Sequence, residues 1–184
     1  MNETVLFAGF GGQGVVLMGK LIALAGMHEG REVTWLPSYG PEMRGGTASC
    51  VVVVSEERIG SPIIDQPHSA VIMNNPSLTK YEPTVEAKGH LLVNSSLVDL
   101  QPQRKDLTVL KVPCNEIADE LGNPKVANMV MLGAYVGLTK AVKMESLKEA
   151  LEHTLPPHRH NLLPLNFEAM ERGAKLVEEQ LAVR

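Results

Sequence analysis

The chain has 184 residues, 44% of them hydrophobic and 21% charged, proportions that predict one globular domain spanning 1–184. Its 17 basic and 21 acidic residues leave a net charge of −4, and aromatic residues make up only 4%; that balance excludes the basic, base-stacking surface of a nucleic-acid binder. No apolar run approaches the ~18 residues of a membrane span, and Met1-Asn2-Glu3-Thr4 carries an acid where a signal peptide carries bases, so a cytoplasmic chain without membrane attachment is expected.

In chain order, Val5-Leu6-Phe7-Ala8 reads as a buried strand that stops at Gly9. From Gln13 to about Glu29, Val15, Val16, Met18, Leu21, Ile22, Leu24, Ala25 and Met27 wrap much of a helix that packs broadly on a sheet. Val33-Thr34-Trp35-Leu36 is a second strand, ended by Pro37, and 38–46 is a loop by composition. Thr47 to Val54, with four consecutive valines, reads as a central strand. Ala70 to Met73 is a further strand, followed by a helical segment from Leu78 to Ala87 that Pro83 interrupts. Leu91-Leu92-Val93 and Val109-Leu110 complete the strands. Helices then follow over Ile117 to Leu121, Val126 to Ala141, Ser146 to Leu155 and Asn166 to Val183; Ser146 with Glu149 fits a capping box. Strand–helix alternation followed by helices predicts an α/β fold: a Rossmann-like three-layer sandwich with a mainly parallel sheet and C-terminal helices.

Gly9-Phe10-Gly11-Gly12-Gln13-Gly14 fits G-x-G-x-x-G between a strand and a helix. Such glycines permit a tight turn and close backbone approach, and the following helix N-terminus offers free N–H groups to a phosphate. A dinucleotide site would also place an acid at the end of the second strand to hold the ribose. Here that strand ends at Ser38, and Glu42 lies well out in the loop. Three readings stay open: a dinucleotide site, an anion site for another phosphate-bearing ligand, and a turn that merely lets the helix pack on the sheet. In the second loop, Arg44 beside Gly45 and Gly46 is placed either to approach an anion or to pair with Glu42, while Tyr39 and Met43 suit a ligand or another subunit equally.

The remaining chemistry-bearing residues point elsewhere. Cys50 lies in an apolar strand and Cys114 follows a proline before a helix; two cysteines cannot supply the four thiolates of an ordinary iron–sulfur cluster, and neither has a base beside it in sequence. His153, His158 and His160 lack a carboxylate at ligand spacing, so no metal site is expected. No nucleophile elbow, Walker loop or H-E-x-x-H is present.

Together the two loops and later segments resemble the gamma subunit of the 2-oxoacid:ferredoxin oxidoreductases. The resemblance runs through 9–15, 38–48, Met73-Asn74-Asn75-Pro76-Ser77-Leu78, Asn94-Ser95-Ser96, 122–128, and Asn166, Ala169 and Gly173. It covers nearly the whole chain; Pro67-His68 departs from it, standing where an acidic residue is expected before the fourth strand.

The resemblance implies a reaction that the residues alone do not show: decarboxylation of a 2-oxoacid on thiamine diphosphate, electron transfer through iron–sulfur clusters to ferredoxin, and release of acyl-CoA. The absence of Gly-Asp-Gly and of cluster cysteines fits a gamma subunit inactive by itself, with thiamine diphosphate and magnesium expected on alpha and beta subunits and the clusters on a ferredoxin-like delta chain. Coenzyme A is the expected co-substrate of the complex. Expected site residues are Gly9, Gly11, Gly12, Gln13 and Gly14 in the first loop. In the second they are Ser38, Tyr39, Gly40, Arg44, Gly45 and Gly46. No catalytic residue is expected in this chain. The second loop leans towards 2-oxoglutarate, with pyruvate, branched-chain oxoacids and indolepyruvate as alternatives. An autonomous nucleotide-binding oxidoreductase and a purely structural assembly subunit are the rival readings, and an isolated chain is expected to form a homodimer.

Overall fold

A computed structural model describes residues 2–39 and 46–183, apart from the Tyr39 side chain. Within them lie strands β1 (Asn2–Phe10), β2 (Glu32–Tyr39), β3 (Thr47–Ser55), β4 (Ser69–Ile72), β5 (His90–Asn94) and β6 (Thr108–Val112). The helices are α1 (Val15–His28), α2 (Asn75–Tyr81), α3 (Cys114–Glu120), α4 (Ala127–Thr139), α5 (Met144–Thr154) and α6 (Leu163–Ala182). The strands form one sheet in the order β2-β3-β1-β4-β5-β6. β1, β4, β5 and β6 pair in parallel, while β3 is antiparallel to both β2 and β1. The valine-rich strand is interior, as its composition implies, but reversed: the connection 40–46 is too short for the crossover that a parallel pair needs. Five strands therefore point the same way, and Phe10, Tyr39, Ile72, Asn94 and Val112 end along one carboxyl edge.

The layers are unequal. On one face Val5, Phe7, Cys50, Val52, Val54, Val71, Leu92 and Leu110 meet α1, α3, α4, α5 and α6 in a single core. Leu6, Ala8, Ala70, Ile72, Leu91 and Val93 face the other way, towards Leu78 of α2 and the segments carrying Val85, Val98 and Leu107. Strand alternation sends odd and even residues of β1 to these separate cores. Helix α4 is buried on nearly every side, from Met129 to Gly137, because it lies between the sheet and α6; a helix apolar all round is stable only in that position. Among the described residues no helix is long and apolar enough to cross a membrane.

Several helix boundaries differ from the sequence expectation, α3 among them, which starts at Cys114. Helix α2 starts at Asn75 and ends before Pro83, because the Asn74 side chain accepts the Ser77 N–H at 2.9 Å and fixes the start earlier. Pro83 falls instead in a 3-10 turn, Glu82–Thr84. The capping box is not used: α5 starts at Met144, with Lys143 at its cap and no side-chain capping bond. The Lys143 N–H donates to Glu29 Oε1 at 2.6 Å, which ties the start of α5 to the end of α1 and puts Ser146 inside the first turn. Helix α6 begins at Leu163, fed by a 3-10 turn over Pro157–Leu162.

Candidate functional site

The glycine turn sits at the carboxyl edge between β1 and α1. Gly14 caps α1 with φ +74°, a left-handed conformation that glycine adopts at little cost, and a Cβ there would collide with the Asn128 amide of α4. A Cβ on Gly9 would run into Gln13, Met73 and Val15. Gln13 spends its carboxamide inside the protein: Oε1 accepts the Phe10 N–H at 2.6 Å, and Nε2 donates to the Met73 carbonyl at 3.1 Å. Its side chain thus braces the turn against the end of β4, and its own N–H closes the turn on the Phe10 carbonyl at 3.2 Å.

The turn also touches the second loop. The Gly11 N–H donates to the Gly46 carbonyl at 2.9 Å, so both glycine-rich segments meet at one edge although β3 separates β2 from β1. Ser38 pairs with Ser49 on β3 and shares the face of Leu36 and Val51, on the side of the smaller core. Gly40, Arg44 and Gly45 lie outside the described residues, as does the Tyr39 side chain.

On the opposite, helix-rich face, a cavity of about 590 Å³ opens beside the turn. Gly12, Gln13 and Gly14 form one wall; Asn115, Lys125, Asn128 and Arg159 form much of the rest, with Leu17, Met73 and Leu97 apolar. Both helices that open on it lack a side-chain cap: α1 at Gly14 and α4 at Val126. The first-turn N–H groups and partial positive charge of α1 favour an anion, whereas the Ala127 N–H that opens α4 is already given to the Pro124 carbonyl. Lys125 is held by a 3-10 turn in which the Asn123 side chain accepts its N–H at 3.0 Å. Among the described residues Lys125 and Arg159 have no ion-pair partner and no carboxylate lines the cavity. Chemically, such an arrangement is able to receive a phosphate-bearing ligand.

Sequence reasoning passed over Asn115, Lys125, Asn128 and Arg159. The stretch 122–128 carried part of the resemblance, but nothing local showed that it would face a turn more than a hundred residues earlier; Arg159 was hidden between two histidines. The acid that a dinucleotide site places at the end of the second strand is absent there, where Ser38 stands. His160 is committed to the Leu155 carbonyl at 2.9 Å and His153 packs edge-on against His28. Among the described residues no three His, Cys, Asp or Glu side chains group as metal ligands. Cys50 and Cys114 are separately buried in the core, where burial pushes both thiols up, Cys50 to about 12. Two such thiols do not fit an iron–sulfur cluster.

A family profile described as pyruvate ferredoxin/flavodoxin oxidoreductase matches residues 4–176. Ketoisovalerate oxidoreductase subunit VorA of Methanothermobacter marburgensis is 39% identical over 178 residues, covering 96% of this chain and 37% of that protein. The chain thus spans little more than a third of that relative. 2-Oxoglutarate synthase subunit KorC of Methanocaldococcus jannaschii is 35% identical over 185 residues, covering 97% of this chain and 96% of the relative. Among solved structures, the gamma subunit of a keto/oxoacid ferredoxin oxidoreductase from Geobacter sulfurreducens superposes with a TM-score of 0.83 at 29% identity, over 96% of this chain and 99% of that one. The 2-oxoglutarate:ferredoxin oxidoreductase of Magnetococcus marinus shares the fold, with a TM-score of 0.89 at 24% identity, over 97% of this chain and 31% of that one.

Proposed function

The chain belongs to the pyruvate ferredoxin/flavodoxin oxidoreductase family, and from that membership we propose that it is the gamma subunit of a 2-oxoacid:ferredoxin oxidoreductase and contributes a phosphate-binding wall for coenzyme A. The observation that carries the ligand reading is the cavity in which the N-terminus of α1, Lys125 and Arg159 meet without a carboxylate among the described residues. Coenzyme A carries a pyrophosphate and a separate ribose phosphate, and the cavity offers two kinds of anion donor. Backbone N–H groups at Gly12 and Gly14 suit a phosphate held close to the chain, and the two long cationic side chains suit one held further out. Arg44, with Gly40, Gly45 and Gly46, completes the site in this reading from the loop bonded to Gly11.

Thiamine diphosphate with its magnesium, and the iron–sulfur clusters, belong in this reading to alpha, beta and delta partner chains. Electrons leave through those chains to ferredoxin, and this polypeptide has no turnover alone. Two relatives differ in the oxoacid they are named for, 3-methyl-2-oxobutanoate (ketoisovalerate) and 2-oxoglutarate; we favour 2-oxoglutarate on the second loop. Without its partners the chain pairs with itself.

The test uses the complex, copurified anaerobically on this chain, where partner chains and the visible absorbance of iron–sulfur clusters are expected. Lys125→Ala combined with Arg159→Ala should raise KM for coenzyme A roughly ten-fold or more, since charged hydrogen bonds contribute about 1.5–3 kcal/mol each, and leave KM for the oxoacid unchanged. Arg44→Ala should act in the same direction. Unaltered KM for coenzyme A in an intact complex would refute the site, and loss of assembly alone would favour the purely structural role.

A further inference from the structure

At the amino edge, opposite the glycine turn, a buried carboxyl group stands with no cation among the described residues in hydrogen-bond reach. Glu3 of β1 is only 6% exposed. Its Oε1 accepts from the Ser69 hydroxyl of β4 at 2.5 Å and from the Tyr135 hydroxyl of α4 at 3.3 Å. Ser69 Oγ lies 3.3 Å from His90 Nδ1 on β5. The His90 ring meets the His68 ring edge-on at 4.8 Å, and His68 Nδ1 is 3.4 Å from Glu86 Oε2 at the surface. Hydrogen bonds and one edge-on ring contact thus link the core to the surface across β1, β4 and β5. Backbone bonds hold its frame: the His90 N–H donates to the His68 carbonyl at 2.9 Å and the Glu86 N–H to the Pro67 carbonyl at 2.9 Å.

Ser69 has one proton to donate, and its two neighbours compete for it. With Glu3 ionised, the hydroxyl donates to Glu3 and its oxygen accepts Nδ1–H of a neutral His90. With Glu3 protonated, the acid has a proton to give. It donates to Ser69, the Ser69 hydroxyl turns to His90 Nδ1, and the imidazole proton resides on Nε2. We propose that Glu3, Ser69 and His90 form a proton-reversible relay that ties α4, through Tyr135, to the amino edge of the sheet and changes direction when Glu3 gains or loses a proton. The proton balance is simple: Glu3 takes one from solvent, and half-buried His90 exchanges its own from Nδ1 to Nε2 through water.

The surroundings suit the reversal. Burial raises the Glu3 acid, partly offset by the Ser69 bond, His68 and the Tyr135 bond, with Glu86 adding to the rise. Burial, then the neighbouring His68, lowers His90. Both shifts favour the uncharged pair, protonated acid beside neutral ring. Tyr135 is itself raised well above its ordinary value by burial and by Glu3, so it stays a hydroxyl donor or acceptor throughout. Arg31 lowers Tyr135, against the larger effects of burial and Glu3. From β3, Val54 pairs opposite Glu3 and brings no charge.

The test is a set of nitrogen-15 histidine spectra on the full chain, followed from neutral to mildly acid pH beside the carboxyl carbon of Glu3. His90 should move from Nδ1–H towards Nε2–H in step with the Glu3 titration. That step should vanish in Glu3→Gln, which keeps a carbonyl oxygen for Ser69 and Tyr135, and in Ser69→Ala, which cuts the link. A His90 tautomer that stays constant while Glu3 titrates, or a step retained in Glu3→Gln, overturns the proposal; if Ser69→Ala fails to fold, the Glu3→Gln comparison decides alone.

Discussion

Gly133 of α4 and Gly173 of α6 are reciprocal contact points between the two helices: a Cβ on Gly133 would strike the Met170 carbonyl, and one on Gly173 the Val130 carbonyl. Each helix lies against the backbone of the other at a residue with no side chain. That approach holds α4 between the sheet and α6, and α4 in turn presents Asn128 to the glycine turn. Gly133→Ala and Gly173→Ala should each destabilise the chain by about 1–3 kcal/mol, as overpacking does, despite the better helix propensity of alanine. Denaturant midpoints would show it; an unchanged or raised midpoint would mean that the helices separate without cost.

Gly14→Ala faces both a backbone and a packing obstacle. The left-handed conformation costs a non-glycine residue about 1–2 kcal/mol, and the new Cβ meets Asn128. Pairing it with Asn128→Ala should recover only the packing part. Equal stability of the single and double variants, measured by thermal unfolding, would mean that Asn128 is free to move aside.

The buried acid predicts an unusual pH profile. Burial raises Glu3 above the ordinary carboxylate value in the folded chain. Between those two values the native state holds a proton that the unfolded state has released, so its stabilising effect is present at low pH and lost as pH rises through the raised value. Glu3→Gln should therefore gain on the wild type as pH rises from the ordinary carboxylate range, and hold that gain at neutral pH. His90, lowered by burial and by His68, has the opposite sign: its contribution is present above the ordinary histidine value and lost as pH falls towards its lowered one. The Glu3→Gln variant should retain that loss. Urea unfolding across the range reads both effects; a constant difference between the two proteins would contradict the Glu3 assignment.

Cys50 donates towards the Val15 carbonyl at 3.5 Å and is 1% exposed, and Cys114 is fully buried. With both thiols raised by burial and thiolate the reactive form, neither should react with a disulfide-exchange reagent while the chain is folded, and both should react at once on unfolding. Fast labelling of either in the native protein would show local opening at β3 or at the start of α3.

The sequence by itself determined what depends on neighbours along the chain. Apolar runs gave the strands, the glycines of 9–14 gave a strand-to-helix turn, and Pro156-Pro157 separated α5 from α6. Cys50 was legible as a core residue because its flanks are apolar, whereas the burial of Cys114 depends on how α3 packs against the sheet. The same local signals misplaced the start of α5, since a bond from Lys143 to Glu29 of a distant helix outweighed Ser146 and Glu149 as a cap. Tertiary structure alone decided the placement of β3 between β2 and β1, the meeting of Gly11 with Gly46, and the assembly of Lys125, Asn128 and Arg159 around the turn. It also turned Glu3, read in sequence only as an acid near the N-terminus, into a buried group shared by Ser69 and Tyr135. These relationships join residues far apart in the chain. They depend on which strands pair and which helix faces the sheet, and those choices are set by burying the two faces of the sheet as a whole rather than by any segment's own pattern.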